Sequence, residues 1–505
     1  MRSQALDALR GIAVVLMCLS GRVPYDTANL LPRWMYHAQE YPGGYGGAPA
    51  PAGFTWVDWV FPMFLFSMGV AFPFAQLSRL KKGARTGALI LSAFIRGLLI
   101  AAFAIYFQHV QPGQIDATAT VNVMRHAIGM DALAQVSDGW KYVFAFVGFL
   151  ILIPIYTRFQ KSGEGSAVAA NRNWIIKGVG LALAALFLAT LRYHEGALGT
   201  TFNIRRSNII LMVLANMAFF GTTAWLLTRA SLIRRIAVLA LFYPFYEAAK
   251  VPGGSLNYFT SKIWEPIDWI YSLNYLKYLF IIIPATIIGD ELQSWMTTMR
   301  NNASEAPKES GNPFVLPVAV ILVIWTLLCL YGQEIPAITL TPFALLFPLI
   351  VRRSGKSETS LLDTLARWGS FWLAMGLLFD SLENGIRKTP SNMSYYFCSL
   401  GLSILLLLIL TIVIDLWQKQ RWFRPFIETG QNPMVGYMAI NNVMEPVVLL
   451  LTPVLAPISA LLMRMTNALV AIPYPWHLFT WAVFKTALLV AITSVLTRVK
   501  LIWRT

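Results

Sequence analysis

The residues able to do chemistry in this chain stand in five places. Asp7 and Arg10, in LDALRG, are spaced to share one helix face, where they can pair. His37 follows Tyr36, and Asp58 lies in FTWVDWVFP at 54–62. A histidine at a membrane surface can act as general base or nucleophile, because its pKa lies near neutrality. Asp58 could hold that imidazole in one tautomer, as a buried carboxylate does in hydrolytic triads. Asp380, Glu383, Asn384 and Arg387 close one apolar stretch, and Asn432, Tyr437, Asn441, Asn442 and Glu445 run through another. Tyr437, Asn441 and Glu445 recur at helical spacing and read as one polar stripe facing protein or a water-filled cavity. RLKKGAR at 79–85 could receive the phosphates of a nucleotide-like donor or anchor a helix at anionic lipid. Each feature has a plainer counterpart: an ion pair locking the first helix, a solvated loop histidine, hydrogen bonds between helices.

Composition says what positions these residues. Of 505 residues, 57% are hydrophobic and 13% charged, and the mean hydropathy is +0.58. Soluble domains carry about 25% charged residues, so this is an all-α polytopic membrane protein. Ionisable groups inside its spans are expensive and therefore functional candidates. Apolar spans fall at 5–21, 54–78, 88–108, 138–157, 174–191, 208–228, 236–250, 274–290, 314–331, 339–351, 367–385, 395–416, 433–455 and 478–496. Several are short of the ~20 residues of an upright helix, so the expectation is a bundle of about 10–14 transmembrane helices. Pro244, Pro342 and Pro348 mark 236–250 and 339–351 as kinked or re-entrant. Asp7 and Arg10 interrupt the first apolar run, which reads as a retained helix rather than a cleaved signal.

The net charge is +16. Its basic residues lie in short clusters between spans, with no aromatic interleaving on a polar domain, which excludes nucleic-acid binding. With the start placed in the cytoplasm, inside segments hold more than twice the Lys and Arg of outside ones. Both termini are then cytoplasmic and the 22–53 loop with His37 is outside; the 192–207 and 386–394 loops run against the trend. Cys18, Cys329 and Cys398 lie in apolar stretches and form no disulfide or metal pattern, and no H-E-x-x-H is present. No metal is expected.

At these residues the chain resembles a known family. LDALRGIAVVLM (6–17), HAQ (37–39) and GFTWVDWVFPMFLFSMGVAFP (53–73) are similar to the heparan-alpha-glucosaminide N-acetyltransferase family, closest to its bacterial branch. KTPSNMSYYF (388–397), GQNPMVGY (430–437) and LTRVKLIWRT (496–505) resemble that family's last helices. The likeness occupies end blocks 1–75 and 367–505 of a single transmembrane domain, 1–505, and leaves 200–365 unassigned. It implies transfer of an acetyl group from cytosolic acetyl-CoA to an amino sugar or glycan across a bacterial inner membrane. His37 would be the catalytic base or acyl carrier and Asp58 its orienting partner. Donor or substrate binding would fall to Asp7, Arg10, Trp56, Asn432, Tyr437, Asn441 and Glu445. The resemblance implies no metal, and membrane lipids and a second copy of the chain as partners. Where the animal pattern has an asparagine early in the outer loop, this chain has Ser20 or Gly21, leaving Asn432 or Asn441 to stabilise an oxyanion.

The first alternative is a transporter or permease for a sugar or lipid-linked glycan, in which the same polar residues line a path. A non-catalytic membrane scaffold is the other.

Overall fold

The computed structural model describes residues 3–503 apart from 29, 131–133, 158–165, 266, 302–313, 334–335, 353–360 and 470–473. Several basic residues of the segments read as inside, Arg158, Lys308 and Arg353 among them, lie outside the described residues.

The chain runs through α1 (Gln4–Ser20), a long loop with a 3-10 turn at Arg33–Met35, then α2 (Trp56–Leu80), α3 (Thr86–His109), α4 (Ala117–Ala127), α5 (Trp140–Tyr156) and α6 (Ser166–Thr190). Its middle is α7 (Ile209–Thr228), α8 (Leu232–Lys250), the one-turn helices α9 (Ser255–Tyr258) and α10 (Leu273–Leu276), and α11 (Leu279–Asn301). There follow α12 (Val315–Gly332), α13 (Thr341–Arg352), α14 (Leu361–Leu382), α15 (Met393–Leu410) and α16 (Gln420–Gln431). The last are α17 (Pro433–Ala439), α18 (Glu445–Leu469) and α19 (Tyr474–Arg498). Among the described residues there are no strands, only two isolated bridges.

Nine helices among the described residues are long and apolar enough to cross a membrane, and Trp140–Tyr156 and Ile338–Arg352 are shorter apolar helices. This is an all-helical membrane protein. The expected spans 5–21, 236–250 and 367–385 are helical but fall outside the nine. α1 has only 17 residues, and α8 and α14 carry charges such as Arg235 and Asp363.

Direction follows from contacts between distant parts. The Ser3 hydroxyl at the start of α1 donates to Asp415, just after α15. α16 packs along α1, and its Glu428 holds Arg498 at the end of α19. One end of the bundle therefore gathers both ends of the described chain. The opposite end carries the 22–53 loop, the start of α2, and the turn from α14 to α15.

The α1–α16 contact is backbone on backbone. A Cβ on Gly11 would stand 1.8 Å from the Phe426 carbonyl oxygen, and one on Gly430 would stand 1.8 Å from the carbonyl oxygen of Asp7. Only glycine permits this approach. It brings Arg10 alongside α16 and α2, where its guanidinium donates to Gly430 O and Ser67 O at 3.3 Å each.

Candidate functional site

The site is built where α2 begins. Thr55 precedes the helix, and its backbone N–H donates to the Asp58 carboxylate at 3.0 Å, so Asp58 caps α2 from within its first turn. The same oxygen accepts from the Thr55 hydroxyl and the Ala38 N–H, both at 3.1 Å. Its other oxygen lies 2.7 Å from His37 Nδ1. Asp58 is fully buried, while the His37 side chain keeps 23% exposure. A carboxylate anchored in this way favours the proton on Nδ1, which leaves the lone pair on Nε2.

The histidine stays in place because its loop is folded on itself. Tyr36 is buried, its hydroxyl donating to Pro24 O at 2.6 Å and accepting from Leu31 N–H. Tyr36 is thus a structural centre of the loop. Gln39 spans three segments: its amide donates to Pro51 O and Gly53 O, and its carbonyl accepts from Lys388 N–H at 2.9 Å.

That last bond draws in a residue 351 positions beyond His37. Lys388 Nζ stands 2.9 Å from His37 Nδ1 and 3.0 Å from Nε2. The turn presenting it is shaped by residues read from the sequence as a polar group. Glu383 accepts from the N–H groups of Met393 and Ser394, both at 2.9 Å, and Asn384 has φ +55°. Arg387 donates to Ala50 O at 2.8 Å. Burial pushes the Lys388 pKa down, with Asp58 and Glu40 acting in the opposite direction. Beneath, the buried Tyr395 hydroxyl donates to the Asp58 carbonyl at 3.2 Å.

The other expected residues are placed elsewhere. Trp56 packs against the loop's apolar cluster of Val23, Leu31, Met35 and Tyr36. Asn432 binds the chain's tail, donating to Leu501 O at 2.7 Å and accepting from Trp503 N–H at 3.2 Å, so it does not stand near His37 as an oxyanion donor. The expected polar stripe is split, because a π turn at Ile440–Met444 widens the helix there. Asn441 and Glu445 both hold Arg22, at 2.6 Å each. Tyr437 instead turns to Asn208 and Phe107, and Asn442 bonds the carbonyls of Val110 and Ala145.

Asp7 and Arg10 do pair, at 3.4 Å. Arg10 also lines a cavity of about 470 Å³ with Arg96, Phe64, Met68, Phe103 and Trp503. Phe64 is six residues along α2 from Asp58, a rise of about 9 Å. On α2 the lining begins there and continues away from the His37 end, through Met68 to Ala75. No His, Cys, Asp or Glu cluster able to hold a metal is found among the described residues.

Sequence reasoning did not single out Lys388, Gln39 or Thr55. The first two stand in the quoted stretches KTPSNMSYYF and HAQ, and Thr55-x-x-Asp58 has capping-box spacing, which was the local signal available.

The fold and site define a polytopic helical membrane protein with a buried Asp, a part-exposed His and a Lys converging at one end of the bundle. The chain belongs to the family described as a domain of unknown function (DUF5009), whose model matches residues 2–292. The matched stretch includes His37 and Asp58 and ends ahead of Lys388. No curated protein matches the chain.

Proposed function

We propose that this protein is a membrane-bound acyltransferase moving an acetyl group from acetyl-CoA to an amino-sugar or glycan acceptor. The observation carrying this reading is the Asp58–His37 contact, with the half-buried Lys388 amine within 3.0 Å of both imidazole nitrogens. His37 Nε2 takes the proton from the acceptor's amine or hydroxyl as that group attacks the thioester carbonyl, and passes it to the sulfur as the C–S bond breaks, so coenzyme A leaves as the thiol. Alternatively the imidazole itself carries the acetyl group between donor and acceptor. In either route Lys388, in its ammonium form, offsets the negative charge that develops on the carbonyl oxygen. It takes the part first given to Asn432 or Asn441.

The donor reading is supported by the cavity with Arg10 and Arg96. Two guanidinium groups at the edge of an apolar cavity favour an anionic head with a long, uncharged arm. With both termini in the cytoplasm, as the charge pattern favours, the donor enters from the cytoplasm and His37 works on the far side of a bacterial inner membrane. The resemblance to the heparan-alpha-glucosaminide N-acetyltransferase family points the same way.

The test is acetyl transfer from radiolabelled acetyl-CoA to a panel of amino sugars, with purified protein and the His37→Ala variant. The expected outcome is labelled product from the parent protein and at least a hundredfold less from the variant. Full transfer by His37→Ala would remove the site. Failure of the parent protein to transfer to any acceptor, together with no thermal shift on adding acetyl-CoA, would favour a transporter.

A further inference from the structure

Arg387, Pro390 and Asn392, in the turn that carries Lys388, also line a second cavity. It is a polar cleft of about 680 Å³, bounded otherwise by α8, α9, α10 and the 259–277 stretch. That volume lies within the roughly 300–1,000 Å³ of small-molecule sites.

Its formal charges balance, three glutamates against Lys250, Lys277 and Arg387, but its hydrogen-bonding capacity does not. Three glutamates line it, and each is already engaged. Glu383 accepts from the two N–H groups that open α15. Glu265 accepts from the Leu273 N–H and the Ser272 hydroxyl. Glu247 pairs with Lys250 at 2.7 Å. Lys277 and Arg387 remain, and neither has an ion pair among the described residues. Lys277 Nζ lies 5.6 Å from the Tyr278 ring centroid, and its charged neighbour is another cation, Lys250. Arg387 spends one N–H on Ala50 O. With the glutamate oxygens already taken, the remaining N–H groups of these two half-buried cations are left without an acceptor, which favours an anionic ligand.

The rest of the lining is neither apolar nor bare charge. Asn257 and Asn274 bring amides, and the Tyr243 ring is 39% exposed on the wall. Amides, hydroxyls and an open aromatic face suit a sugar ring. We propose that this cleft binds a sugar bearing an acidic group, a phosphate or a carboxylate, either free or as the headgroup of a lipid. The inference stands whether or not His37 performs acyl transfer. Its location still matters to that chemistry, since Arg387 is the chain neighbour of Lys388.

The test is binding to the full-length protein in lipid nanodiscs, using four probes: glucose, inorganic phosphate, glucose 1-phosphate and a polyprenyl-phosphate-linked glucose. The parent protein is compared with Lys277→Gln and Arg387→Gln, and Lys82→Gln, in a distant loop, serves as control. Thermal unfolding without ligand checks that each variant is folded. At least one of the sugar phosphates should bind saturably and about tenfold more tightly than glucose or phosphate alone. Lys277→Gln should weaken that binding by about tenfold, the loss expected when a charged hydrogen bond is removed, and Lys82→Gln should leave it unchanged. Preference for glucose 1-phosphate would identify a soluble ligand, and preference for the lipid-linked sugar a headgroup. Equal binding of glucose, binding of phosphate as tight as of either sugar phosphate, no binding of any probe, or full binding by both cleft variants would each overturn the proposal.

Discussion

Lys388 changes what His37 can be asked to do. An imidazole with only a carboxylate beside it is a base; one with an amine about equally near both ring nitrogens, at 2.9 and 3.0 Å, has a second charge partner as well. The Lys388 pKa is lowered by burial, so its ammonium form is lost at a lower pH than that of an exposed lysine. Acetyl transfer should therefore fall off on the alkaline side earlier than an ordinary lysine would dictate. Lys388→Arg should move that limb to higher pH, because guanidinium stays charged. Lys388→Met should lower kcat on the order of a hundredfold across the profile. An unchanged alkaline limb in Lys388→Arg would deny the lysine this part. His37 and Asp58 were legible in the sequence because both belong to one short stretch with recognisable residue types. Lys388 was not, because its approach depends on a side chain amide, Gln39, catching its backbone from 349 residues away.

Among the elements, helices were legible wherever apolar residues ran long enough, and the weak spans 236–250 and 339–351 are helical as well. What escaped was how a helix turns. Tyr437, Asn441 and Glu445 have α-helical spacing, yet the π turn between Tyr437 and Glu445 rotates the later part, so the stripe addresses two different partners. The contact of α1 with α16 is a second case, since glycines reveal a close approach only once their neighbours are known. Gly11→Ala forces a methyl group onto a carbonyl oxygen at 1.8 Å, a clash that only backbone movement relieves. The variant should give little folded protein on size-exclusion chromatography, or unfold several degrees lower. Gly87→Ala, at a position with nothing nearby, should behave like the parent. Equal stability of the two variants would mean that the crossing is looser than described.

For the molecule as a whole, Glu428 joins the beginning of the chain to its end. It lies on α16, against α1, and receives Arg498 and Ser494 from α19 as well as Arg424. Burial raises its pKa, but these bonds outweigh that and hold it near about 2, below its ordinary 4.5. A depressed carboxylate stabilises the fold above its unfolded pKa, and that contribution is lost as pH falls from about 4.5 toward 2. Thermal unfolding of the detergent-purified protein should therefore show Glu428→Gln melting below the parent at neutral pH. The gap should narrow through that acid window, and a gap independent of pH would refute the ionic origin. Composition and periodicity made the helical bundle legible, but not this junction, whose partners are 70 residues apart in sequence.

The separation of His37 from Lys388 also has a meaning in time. A ribosome adding about 5–20 residues per second needs roughly twenty to seventy seconds to travel the 351 residues between them. Throughout that interval the emerging chain carries its histidine and its carboxylate, yet it has no amine to set beside them. Each newly made copy thus passes its early life with the cluster half-finished, and the third member joins only after the hairpin of α14 and α15 has entered the bilayer.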